Sequence, residues 1–135
     1  MSDFTLEVAT PERELIKVQV AEAQIPAADG YIGVLPEHSP LLSELGTGEL
    51  SYVHEGDTRR SMFVSGGWVE VLQNHVRVLA DVAERADEID VGRAKEALKR
   101  SLDEVNKPLD TMEMAHALNA MKRAQARLKT KGLGE

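Results

Sequence analysis

Chemistry needs a nucleophile, a proton carrier, a set of metal ligands or a cradle for charge, and this sequence is short of the first three. Its 135 residues hold four histidines, His38, His54, His75 and His116, and no cysteine. None of the four falls in an HExxH, GxSxG or comparable spacing that brings a base to a nucleophile or two imidazoles to a metal. They read as surface or packing residues. There is no thiolate, no thiolate zinc site and no disulfide, so the fold holds by packing alone. No Walker loop and no GxGxxG after a strand is present. The chain reads as non-catalytic, with no metal site and no required cofactor.

What remains is charge arranged for an anion. Arg93 and Arg100 are seven residues apart and share a face of one helix, while Arg123 and Arg127 are four apart and share a face of a second. A guanidinium fork matches carboxylate or phosphate with paired hydrogen bonds, so two such helices folded together can aim several forks at one anion. The alternative reading is a solvated helical face with acidic neighbours such as Glu96 and Asp103. A second distinctive segment, Ile25 to Leu42, joins an Asp29-Gly30 turn, a strand with Gly33 and a loop stiffened by Pro36 and Pro40. It reads as a rigid turn that closes a β domain.

The elements that must position these residues divide the chain in two. From Phe4 to about Val82 apolar residues alternate or form short runs, with turn signals between them at Thr10-Pro11, Asp29-Gly30, Gly46 to Gly48, Gly56-Asp57, Gly66-Gly67 and Gln73-Asn74. This spacing predicts an all-β sandwich or barrel over residues 1–86, with separate strands at Ser61 to Val64 and Trp68 to Leu72. Hairpin turns are expected at Gly56-Asp57 and Gln73-Asn74. Beyond Ala86 the period changes. Val91, Ala94, Leu98, Leu102 and Val105 form one helical stripe and Met114, Leu118, Met121, Ala124 and Leu128 a second, with Asn106-Lys107-Pro108 between them. Residues 87–135 therefore predict a helical hairpin, its first helix capped by Asp90 and weakened by Gly92.

Charge follows the same division. Residues 1–86 carry 6 basic and 14 acidic side chains, net −8, and residues 87–135 carry 10 basic and 9 acidic, net +1. The total of −7 argues against a global grip on nucleic acid or an anionic membrane, and leaves the hairpin as the part that can meet an anion. No apolar run approaches a bilayer span and the start lacks the pattern of a secretory signal, so the expected setting is cytoplasmic, with docking onto a membrane complex left open.

Taken whole, the chain resembles the epsilon subunit of bacterial F-type ATP synthase, the counterpart of mitochondrial delta. The resemblance rests on the opening LEVATPER, the block DGYIGVLPEHSPLL, the strand GGWVEV, and the unbroken motif Ile89-Asp90-Val91-Gly92-Arg93-Ala94. It implies a non-catalytic rotor-stalk subunit at the cytoplasmic face of the bacterial membrane. The β domain would bind the gamma subunit and the c-ring, coupling proton-driven rotation to ATP synthesis. For ring or gamma contact the resemblance points to the loop carrying Tyr31, Glu37, His38 and Ser39. The hairpin would block ATP hydrolysis when extended into the alpha/beta catalytic head. When folded it would hold a regulatory ATP with Glu84, Ile89, Asp90, Arg93, Ala94, Arg100, Arg123 and Arg127. Two other classes are a free-standing ATP-sensing module and a β-sandwich adhesion module; one Trp, two Tyr and two Phe disfavour the latter, since sugar sites need stacking rings.

Overall fold

A computed structural model describes residues 3–54, 56 and 58–133. Among the described residues, eight strands are followed by two helices: β1 Phe4–Ala9, β2 Glu14–Val20, β3 Glu22–Ala27, β4 Gly30–Val34, β5 Leu41–Glu44, β6 Thr47–Val53, β7 Arg59–Val71, β8 His75–Arg85, then α1 Val91–Val105 and α2 Thr111–Thr130. A short 3-10 turn, Ala86–Glu88, joins β8 to α1. The strands hydrogen-bond in the order β2-β1-β8-β7-β6-β3-β4, with β5 added to β7. All neighbours are antiparallel except β1 and β8. This is the β-sandwich followed by a helical hairpin that the two sequence periods predict.

Period-2 alternation builds the sandwich core. Phe4, Leu6 and Val8 of β1 point inward, as do Val76, Val78 and Ala80 of β8 and Val69 and Val71 of β7. Ile25, Leu50, Met62 and Val64 are among the other fully buried side chains. Burying a side chain of this size contributes about 1.5–3 kcal/mol, which is how a sheet without a disulfide holds.

One expectation fails at Gly66-Gly67. The pair is not a turn between two strands but lies inside the 13-residue β7, which pairs with β8 on both sides of it. On its other edge β7 pairs with β6 through Ser65 and with β5 from Trp68 onward. Both glycines take positive φ, 71° and 118°, and a Cβ on Gly67 would lie 2.0 Å from the Leu79 carbonyl oxygen. The glycine pair therefore bends one strand across two layers, a task that local punctuation does not distinguish from a turn. The hairpin turn expected at Gly56-Asp57 falls partly outside the described residues.

The helices begin where their caps place them. Asp90 accepts from the Arg93 amide at 3.1 Å, and Asp110 and Glu113 form a reciprocal capping box. A side chain at Gly92 would meet only the Asp90 carboxylate, at 3.6 Å, so packing does not demand glycine there. The stripes differ from expectation at the far end of the hairpin. Leu102 and Leu118 are exposed, whereas Ala94, Ser101, Ala117 and Ala124 are buried. Small residues carry the close α1–α2 contact, and α2 alone rests substantially on the sandwich, against β6 and β7 through its last two turns. Beyond that footing the leucines have no layer to cover them.

Candidate functional site

The junction of sandwich and hairpin is fixed by a small apolar cluster. Phe63 of β7, Ile89 of the linker and Ala126 of α2 bury one another. Around this pin, the end of β8, the linker, one face of α1 and Arg127 of α2 enclose a cavity of about 390 Å³. It is lined by Glu84, Glu88, Asp90, Arg93, Ala94, Ala97, Arg100 and Arg127. Six of the eight residues singled out for nucleotide binding thus meet in one place. Ile89 instead belongs to the apolar pin, and Arg123, one turn before Arg127, does not line the cavity.

The charges in this cavity are not equivalent. Glu84 accepts from Arg127 Nε at 2.7 Å, and the Arg127 guanidinium also lies over the Phe63 ring. Asp90 is occupied as the α1 cap. Glu88 accepts from both Arg13 terminal nitrogens, at 2.7 and 2.9 Å, and from the Arg85 backbone amide at 2.9 Å. The Arg13 hydrogen bonds, then the Arg85 amide, hold the Glu88 carboxyl at about 2. Arg93 and Arg100, by contrast, have no ion-pair partner among the described residues. All three carboxylates are satisfied while two guanidinium groups face the cavity unpaired. Such a site attracts an anion, and its volume falls in the range of small-molecule pockets, roughly 300–1,000 Å³. Ala94, 3% exposed, adds a small apolar wall.

Glu88 and Arg13 were not legible as site residues. Glu88 stands four residues after Glu84 in the same junction segment, which is the only hint the sequence offers. Arg13 is 75 residues away from its partner.

The other singled-out residues lie elsewhere. Tyr31 is on β4, and its hydroxyl donates to the Glu49 carbonyl at 3.0 Å and accepts from the Glu49 amide at 3.2 Å. It lines a second cavity of about 530 Å³ beneath α2, with Gly48, Leu98, Lys122 and Lys129 among its neighbours. Glu37, His38 and Ser39 occupy the loop between β4 and β5, where the Glu37 amide donates to the Gln73 carbonyl at 3.2 Å. Glu37 holds a positive φ of 65°, and His38 Nδ1 hydrogen-bonds to the Ser39 carbonyl. This loop sits at the Val71 end of β7, while the hairpin pins to the sandwich at Phe63. Between them an outward sheet face exposes Trp68, with its cross-strand partner Leu79, and Leu42 opposite Glu70. An apolar face of this kind on a sheet already packed on its other side fits a protein partner. No described helix is long and apolar enough to cross a membrane.

Comparison with known proteins agrees with this architecture segment by segment. Residues 3–86 match the family model for the ATP synthase delta/epsilon chain β-sandwich domain, and residues 87–132 match that for the ATP synthase delta/epsilon chain long α-helix domain. The chain is 59% identical over 125 residues to the ATP synthase epsilon chain of Solibacter usitatus, covering 93% of this chain and 92% of that one. It is 38% identical over 132 residues to the epsilon chain of Moorella thermoacetica, covering 98% of each. Among solved structures it superposes with a TM-score of 0.81 on a chain of the Euglena gracilis mitochondrial ATP synthase, at 23% identity, over 93% of this chain and 79% of that one. A chain from the central stalk and c-ring of the Tetrahymena thermophila enzyme superposes at 0.62 and 15% identity, over 95% and 96%. At those identities the two superpositions speak to fold.

Proposed function

Because the chain belongs to the delta/epsilon family of ATP synthase subunits, we propose that it is a non-catalytic rotor subunit of the central stalk whose hairpin acts as a nucleotide-responsive brake. In this reading the sandwich binds the gamma subunit and the c-ring at the cytoplasmic face of the bacterial membrane, and so couples proton-driven rotation to ATP synthesis. The outward face carrying Trp68, Leu79 and Leu42 and the loop of Glu37, His38 and Ser39 supply the contact surfaces. The hairpin inhibits ATP hydrolysis when it extends into the alpha/beta head, and is released from that role when folded on the sandwich.

The observation that carries the nucleotide part is the imbalance in the junction cavity: every carboxylate there has a hydrogen-bond donor, and Arg93 and Arg100 have no ion-pair partner among the described residues. Phosphates of ATP would take those two guanidinium groups, with Ala94 leaving room for the base. The folded hairpin is held on the sandwich through the last two turns of α2 against β6 and β7, the Phe63–Ile89–Ala126 pin and the Arg127–Glu84 pair. A ligand that binds only this state stabilises it by mass action, about 2.7 kcal/mol at a hundredfold excess over its dissociation constant. That is enough to move a bistable element whose states differ by a few kcal/mol.

The test is ATP titrated into the purified chain by calorimetry, with Arg93→Ala as control and compaction followed by small-angle scattering. Saturable binding that Arg93→Ala weakens, with compaction, supports the brake; no uptake at millimolar ATP removes the nucleotide from the mechanism. Co-purification with gamma tests the stalk assignment separately, and binding of ATP by a chain that joins no stalk would favour a free-standing ATP-sensing module.

A further inference from the structure

The cavity contains one carboxylate whose main partner comes from outside it. Glu88 belongs to the linker between the two domains, and both of its oxygens accept from Arg13, in the turn after β1. Arg13 itself does not line the cavity. The bidentate geometry fixes the direction of the Glu88 carboxylate, and the Arg85 amide holds the same group from the backbone side. Arg85 in turn donates to the Leu15 carbonyl at 3.0 Å, so the linker is strapped to the first hairpin of the sandwich at two points.

We propose that Arg13 is a positioning residue for the anion site: by holding Glu88 it keeps that carboxylate from pairing with Arg93 and Arg100, and so leaves both guanidinium groups to the phosphates of a nucleotide. The inference rests on the reading of the cavity as an anion site. Glu84 and Asp90 are already committed, to Arg127 and to the Arg93 amide, whereas Glu88 has Arg13 as its close bidentate partner and the Arg85 side chain only at 3.5 Å, so Arg13 is what chiefly fixes and neutralises it. Protonation does not substitute for Arg13, because the carboxyl titrates at about 2 and any weakening of its partners leaves it charged at neutral pH. Without Arg13 the Glu88 carboxylate keeps only the longer Arg85 side-chain contact and the Arg85 amide, and its remaining negative charge competes with the ligand for Arg93 and Arg100, which line the same cavity.

The experiment is an ATP titration by calorimetry into the full chain and its R13Q, E88Q and R13Q/E88Q variants, each checked for folding by its thermal melt. R13Q is expected to bind roughly tenfold more weakly, the size of coupling usual within one charge network. The double variant is expected to recover wild-type affinity, and E88Q alone to lose none. If Arg13 only braced the linker, R13Q/E88Q would stay as weak as R13Q, and the proposal would be overturned. Wild-type affinity in R13Q would overturn it as well, while leaving the anion site standing. A wild-type chain that takes up no ATP would overturn the anion site and the role of Arg13 together. Should R13Q fail to fold, the charge-swapped R13E/E88R decides: affinity at or above wild type supports the proposal, and a tenfold loss overturns it.

Discussion

The guanidinium carbon of Arg127 stands 4.4 Å from the centre of the Phe63 ring, and the same side chain donates from Nε to Glu84 at 2.7 Å. Phe63 is a fully buried residue of β7, and Arg127 lies in the last turns of α2. One residue of the helix therefore grips the sandwich twice, by the face of an aromatic ring and by a carboxylate. Both members of the ion pair are more than two-thirds shielded from solvent, which raises the worth of each contact above that of a surface pair.

Replacing Arg127 with alanine is expected to loosen the docked hairpin by about 1–2 kcal/mol without unfolding the sandwich. Arg127→Lys keeps the charge but loses the planar stack, and should fall between the two. Hydrogen exchange at the α2 amides reads this directly, since a less firmly docked helix opens more often than the strands beneath it. Unchanged α2 protection in the alanine variant would show that the pin of Phe63, Ile89 and Ala126 holds the helix unaided.

The bend in β7 gives a second, sharper test. A Cβ at Gly67 would lie 2.0 Å from a backbone oxygen, at a φ of 118° that side chains avoid, so nothing nearby can yield. At Gly66 the clash is with the tip of the Asp81 side chain, which can swing away, and φ is an ordinary left-handed 71°. Gly67→Ala is expected to cost about 4 kcal/mol or more, and Gly66→Ala about 1–2 kcal/mol. Denaturant midpoints of the two variants provide the comparison, and equal losses would mean that the bend can be made elsewhere in the strand.

These cases mark where the sequence was readable. The alternation of Phe4, Leu6 and Val8 announces β1, the helical stripes announce the hairpin, and Asp90 caps the helix that it was expected to cap. Six of the residues to which the family resemblance points line one cavity, four of them, Asp90, Arg93, Ala94 and Arg100, along the start of one helix. What local pattern could not supply is partnership across the fold. A Gly-Gly pair reads as punctuation, and only the ladder of β8 running past both halves of β7 makes it a bend. Leu102 and Leu118 match a buried stripe, yet the hairpin reaches past the layer that would bury them. Tyr31 is exposed, as its surface segment suggests, but the commitment of its hydroxyl to Glu49 across the fold was not legible.

Acid should expose the Arg13–Glu88 pair. The Glu88 carboxyl is held at about 2 in the fold against its ordinary 4.5, so its contribution to stability is whole above about pH 4.5 and is lost as the pH falls toward 2. The pair is partly exposed, with side chains 43% and 28% accessible, and solvent screening limits the effect to about 1 kcal/mol or less. The stability difference between wild type and Glu88→Gln is expected to be constant from pH 5 to 8 and to shrink to nothing near pH 2. Glu7, lowered first by its hydrogen bond to His75 and then by Arg77, titrates on the same acid limb in both proteins and cancels from the difference. A difference that grew on acidification would reverse the sign and refute the linkage.

The cavity also separates two arginines to which the family resemblance points alike, Arg100 and Arg123. Arg100 lines it and has no ion-pair partner among the described residues, while Arg123 on the facing helix does not line it. If the nucleotide phosphates occupy the folded hairpin as it stands, Arg100→Ala removes a charge-assisted contact worth about 1.5–3 kcal/mol, or roughly ten- to a hundredfold in affinity. Arg123→Ala should then change affinity by only about twofold, through the longer-range loss of one positive charge. Parallel calorimetric titrations of ATP into the two variants measure the ratio. Equal and large losses would mean that α2 turns or shifts when the ligand arrives, bringing Arg123 into the site and making the bound hairpin a different packing from the one described. A loss confined to Arg100 would place the ligand in the cavity already formed by β8, the linker and α1.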